Sequence, residues 1–180
     1  MLRAVIAVPA LLALAACGSA TSRAAPTPTV AAAPTAGAGC VDAAAARAIW
    51  TTINNRLNAI QLDPNHAGLA DVSTGAALTV RSDYIRTTLT DKHLTEREVD
   101  RLDNLSVTNG GCTGGALTVD VTITLTKDDY LRADGTVDHA DASVGTQFER
   151  VITYVRTGGV WKESDITDLG GGQTQAPSLV

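Results

Sequence analysis

The sequence predicts an α+β domain: N-terminal helices packed on one face of a curved antiparallel sheet of about four strands, cone-like in outline. Three observations predict it. Apolar residues recur at helical spacing only in the first part of the domain, strict alternation appears only later, and glycine-rich turns separate the alternating runs. Composition allows a packed core, with 44% hydrophobic and 18% charged residues. Aromatic residues make up only 3%, so that core must be built from Ala, Val, Ile and Leu.

The first helix is predicted over Asp42 to Gln61. Asp42 is a natural N-cap, and Ala46, Ile49, Ile53, Leu57 and Ile60 fall on one face with Trp50 beside them. Asp63-Pro64 stops it. Asn65 to Leu89 reads as two short helices: His66 to Ala70, continuing towards Leu78 past a weakening Gly75, and one around Arg81 to Arg86. Thr90 to Asp103 reads as charged and turn-like, with one helical turn at Thr95 to Glu98.

Leu105 to Thr108 is a candidate strand ending at Asn109-Gly110-Gly111. The clearest strand is Ala116 to Thr126, where Leu117, Val119, Val121, Ile123 and Leu125 alternate with threonines and Asp120. One apolar and one polar face mean a half-solvated antiparallel sheet. Val144 to Arg156 is a second long strand whose imperfect alternation calls for a bulge or two covered faces. A turn at Thr157-Gly158-Gly159 leads into a last strand, Val160 to Thr167. The first helix is expected across the apolar face, with Ile49, Ile53, Leu57 and Ile60 meeting Leu117 to Leu125. Trp50, Phe148, Tyr154 and Trp161 are the expected lining of any pocket, which would be aliphatic and threonine-rich and take an apolar guest.

The N-terminus gives an address. Met1 to Ala16 pairs one early positive charge with an apolar run too short to span a bilayer. It ends in Leu14-Ala15-Ala16-Cys17, which resembles a bacterial lipobox. The resemblance implies a cleaved signal peptide over 1–16 and lipid on Cys17, hence a chain held on the extracytoplasmic face of the cell membrane. Acyl chains anchor by burying methylenes worth ~0.8 kcal/mol each. Residues 17–39 are the lipidated cysteine and an Ala/Thr/Pro-rich linker, 40–169 a single domain, and 170–180 a disordered tail. Cys40 and Cys112 remain once Cys17 is used, and in an oxidising compartment an even pair reads as one disulfide, against free thiols or a fragment of a metal site.

The element order is similar to that of the nuclear-transport-factor-like superfamily of cone-shaped domains. Ser73 to Leu78, Arg81 to Tyr84 and Gly158 to Asp165 resemble segments of actinobacterial extracytoplasmic members. The resemblance brings no catalytic residue with it. It implies a cone that binds an envelope protein, a polymer or an apolar ligand; the alternative is a small enzyme, isomerase- or dehydratase-like, acting on an apolar substrate.

The formal net charge of -5 argues against nucleic acid and against electrostatic attraction to anionic lipid, which leaves the acyl chains as the link to the membrane. No cofactor is expected, since zinc spacing, a nucleophile motif and a phosphate-cradling glycine loop are all missing. Asp134 to Asp141 resembles half of a calcium loop, but the two preceding ligand positions are Tyr130 and Arg132, so no metal is expected. His66, His93 and His139 fall in loop-like stretches and read as surface residues.

The lipobox reading makes a direct prediction. Cys17→Ser should release the protein into the medium or leave it unprocessed; detergent-phase partitioning checks this, and undiminished partitioning of the variant would contradict lipid attachment at Cys17.

Overall fold

The structure, a computed structural model, describes residues 40–112 and 115–170. Cys17, the expected signal peptide, the whole linker and all but the first residue of the expected tail lie outside the described residues. The architecture is α+β, as expected. The helices are α1 (Ala43–Leu62), α2 (Leu69–Val72) and α3 (Gly75–Tyr84), the last running into a π-helical turn, Ile85–Thr90. The strands are β1 (Thr95–Gly110), β2 (Leu117–Leu131), β3 (Val137–Ala140), β4 (Gln147–Thr157) and β5 (Val160–Asp168). They form one antiparallel sheet in the order β1-β2-β4-β5, with β3 paired to the far end of β2 beyond β4. The sheet therefore has five strands rather than about four.

α1 forms where its apolar stripe predicts. Asp42 caps it by accepting from Ala45 N at 2.8 Å. Ala46, Ile49, Trp50, Ile53, Leu57 and Ile60 are all buried. They share one core with Leu117, Val119, Val121 and Ile123 of β2, the meeting of helix and strand anticipated from the sequence. The α1 backbone neighbours β1 above all, while its side chains share the core with those of β2.

The largest departure is β1. The stretch read as turn-like and briefly helical is a long edge strand, paired with β2 from Thr95↔Leu131 to Gly110↔Leu117. Its pattern is period two all the same: Glu96, Glu98, Asp100 and Leu102 on one face, Arg97, Val99 and Arg101 on the other. The charges on both faces disguised it. β2 likewise runs five residues beyond Thr126, where the clean alternation ends.

Helix boundaries also shift. Gly75 opens α3 instead of weakening a longer helix. Its φ is +56°, and a Cβ there would sit 3.0 Å from Ser164 O, so glycine lets the start of α3 lie directly on β5. Thr74 N donates to Glu163 O at 2.8 Å beside it. The uneven β4 pattern has a plain cause: Val144 belongs to the preceding loop, while Val151 and Val155 face outward and Phe148, Arg150, Ile152 and Tyr154 face the helices.

Two covalent or ionic ties close the fold. Cys40 and Cys112 form a disulfide spanning 72 residues, which on the chain-entropy account stabilises by about 4 kcal/mol. Val41 N donates to Gly110 O at 2.7 Å beside it. Arg81 of α3 meets Glu163 of β5 through two hydrogen bonds, Nε to Oε2 at 2.7 Å and Nη2 to Oε1 at 3.1 Å. Glu163 is only 2% exposed, so its charge depends on that fork.

Removing one partner of such a pair strands the other charge. Arg81→Met should destabilise the domain by about 3–5 kcal/mol, while Arg81→Met with Glu163→Met should recover most of the loss. Urea unfolding of the single and double variants checks this.

Candidate functional site

The principal cavity is an opening of about 410 Å³ between the helices and the far half of the sheet. That is within the usual range for a small-molecule site. Its walls are not the aliphatic, threonine-rich surface expected from the sequence. Glu96, Glu98 and Asp100 of β1, Asp128 of β2 and Asp141 of the β3–β4 connection all line it, with Ile123, Leu125 and Phe148 as its apolar part.

A bulge places these acids. Val99 pairs with Lys127 and Asp100 with Leu125, leaving Thr126 without a counterpart. Up to Leu125 the odd residues of β2 face the helices; beyond the bulge Asp128 and Tyr130 do. The register then sets Asp128 directly opposite Glu98, and Tyr130 opposite Glu96. Like charges in that relation repel. The π-helical turn begins right after Tyr84, whose hydroxyl meets that of Tyr130 at 2.9 Å. Such turns recur at functional sites.

Little neutralises the acids. Gln61 Nε2 donates to Glu96 Oε2 at 2.9 Å and to Glu98 Oε2 at 3.4 Å. Arg150 is the single cationic residue among the lining side chains, and its Nε is engaged by Asp168 Oδ1 at 2.8 Å. Its guanidinium also stands 5.3 Å from the Phe148 ring centroid. Asp128 is 6% exposed, and its Oδ1 is buried with no hydrogen-bond donor beside it. Only the Glu96 carboxyl, when protonated, can serve Asp128.

Three of the acids respond by holding protons. Burial first, then the neighbouring Glu98 and Asp128, push Glu96 up to about 9. Burial and Glu98 push Asp100 up to about 8 and Asp128 up to about 7. Burial, followed by Glu96, also raises the phenols of Tyr84 and Tyr130, so both remain protonated donors. Among the described residues, no three His, Cys, Asp or Glu side chains converge in a way that could hold a metal ion.

Of the residues expected to line a pocket, Phe148 lines this cavity. Trp50 and Tyr154 line a separate space of about 20 Å³, between α1, Arg81 and Glu163, which is the scale of a single water. Trp161 packs against the core near Gly111. The histidines stay off this cavity's walls. His66 Nδ1 lies 3.0 Å from Ile60 O, and His139 stacks on Tyr130 with ring centroids 4.4 Å apart. In the calcium-like loop, Asp134 Oδ1 accepts from Thr136 N at 2.9 Å, and Asp138 is paired with Arg132 and His139. Asp134 and Asp138 are thus used within the loop.

Glu96, Asp100 and Asp128 bind a proton more tightly in the folded chain than in the unfolded one. Their contribution to stability is therefore intact below the ordinary carboxylate range and is lost as pH rises through about 7 to 9. A tenfold difference in proton affinity is worth about 1.4 kcal/mol, a few °C in Tm for a domain of this size. Tm should fall between about pH 5 and about pH 9, and Glu96→Gln, which keeps the shape of the protonated acid, should flatten that fall and raise Tm at the alkaline end. Thermal melts across pH check both.

No family model matches the chain, and no curated protein matches it. Among the described residues no helix is long and apolar enough to cross a membrane. Among solved structures the chain is similar to the crystal structure of the intermembrane space region of chloroplast protein ARC6, with a TM-score of 0.50 and 14% sequence identity over 72% of this chain and 98% of that one. At that identity the likeness is one of fold alone.

Proposed function

We propose that this chain is an extracytoplasmic lipoprotein, anchored through Cys17, whose domain is a binding module that holds a cationic ligand in the acidic cavity. One observation carries the reading: five carboxyl groups line the cavity against a single cationic residue, Arg150, whose Nε is bonded to Asp168 and whose charge offsets only part of the rise at Asp100. A buried carboxylate without a counter-charge is costly, and a guest bearing positive charge removes the cost by taking the place of the bound protons. The Cys40–Cys112 disulfide supports an oxidising compartment. The lipobox at Leu14 to Cys17 supports the anchor, and the order of helices and strands supports a cone-like domain related to the nuclear-transport-factor-like superfamily.

A second reading, the small isomerase- or dehydratase-like enzyme, is favoured by the Tyr84–Tyr130 hydroxyl pair standing in the same cavity as the acids. Two phenols and a protonated Glu96 form a set of donors for a developing oxyanion, with a carboxylate of the same wall as base. Recovery of a bound guest chemically unchanged separates binding from turnover.

Three probes of one carbon skeleton test the binding reading: butylamine, butanol and butyrate, titrated calorimetrically into the purified domain. Butylamine should bind, butyrate should not, and Glu98→Gln combined with Asp128→Asn should weaken the amine by about tenfold or more. Butyrate or butanol binding as well as butylamine would refute a cation site.

A further inference from the structure

Four of the five acids of the cavity, all but Asp141, fall into two pairs. Glu96 and Asp128 lie within hydrogen-bonding reach of each other across β1 and β2. Glu98 and Asp100 do so along β1. Alternate residues of a strand repeat at about 6.6 Å, so the row from Glu96 through Glu98 to Asp100 extends along the wall and does not close on a point. This agrees with the lack of a metal-holding cluster among the described residues. A compact ion would satisfy one pair and leave the other. The floor beside the row is apolar: Leu125 stands opposite Asp100 in the register, Ile123 opposite Leu102, and Phe148 opposite Ile123 on β4. Asp128, opposite Glu98 in the middle of the row, keeps its Oδ1 buried with no hydrogen-bond partner.

From this arrangement we infer that the ligand is a linear aliphatic diamine or polyamine, with one ammonium on the Glu96–Asp128 pair, a second on the Glu98–Asp100 pair, and its methylenes against Ile123, Leu125 and Phe148. An ammonium carries three donors and no acceptor, which suits a carboxyl pair with unfilled lone pairs. Methylene contact adds a length preference that a charge cluster alone would not have. Arg150, bonded to Asp168 and near enough for its charge to act on Asp100, repels a cation that overshoots this end and so limits the length that fits.

The inference rests on the reading of the cavity as a cation site, and the experiment separates the two. Putrescine and butylamine are titrated into the purified domain and into Glu98→Gln and Asp128→Asn variants whose folding is confirmed by thermal melts. Putrescine should bind at least about tenfold more tightly than butylamine. Each single variant should bring putrescine down to the butylamine level, and butylamine itself should change by no more than about twofold, because the other pair still serves it. Equal affinities for the two amines in the unaltered domain would overturn the two-ended ligand while leaving a cation site. Binding of neither amine would overturn both readings.

Discussion

The far half of this domain depends on one unpaired residue. Thr126 adds a residue to β2 that β1 does not match, and every side chain beyond it changes face. Without it, Lys127 and Asp129 would point at the helices and Asp128 and Tyr130 at solvent. With it, Asp129 stands on the outer face directly opposite Arg97, which reaches it at 2.6 Å. The same step that builds a satisfied ion pair outside builds an unsatisfied acid wall inside. The Tyr84–Tyr130 contact and the opposition of Glu98 and Asp128 both follow from it.

The domain treats buried charge in two ways. Around Arg81 and Glu163 the charges are matched, forked and closed off, and they tie α3 to β5. Around Glu96 and Asp128 they are of one sign and open on a cavity. A core gains nothing from the second arrangement, since replacing such acids by apolar residues of similar volume would remove a desolvation penalty. The contrast within one helix–sheet interface separates a part that holds the fold from a part that burdens it.

Much of the fold was legible in the sequence because its signals are apolar and periodic. Ile49 to Ile60 and Leu117 to Leu125 announce a helix and a strand that bury one face each. The cysteine pair was readable from number and compartment. The cavity was not, and the reason is specific. Glu96, Glu98 and Asp100 alternate as a strand does, but the inward face of that alternation is acidic, and a rule that equates inward with apolar assigns them to solvent. Asp128 was hidden by the bulge, since extending the Leu117–Leu125 parity places it outside. An alternation of acids with Arg97, Val99 and Arg101 was the available clue, and it required period to be read apart from polarity.

The Cys40–Cys112 bond has a mechanical consequence. Tension arriving along the chain from the N-terminal side meets Cys40 before it meets α1. The disulfide passes it straight to Cys112, just ahead of β2, the strand to which β1, β3 and β4 all pair. The chain between the two cysteines, with α1, α3 and the acid-bearing strand β1, is left out of the force path. A pull from that side would load the middle of the sheet first, and α1 would not have to unwind to transmit it.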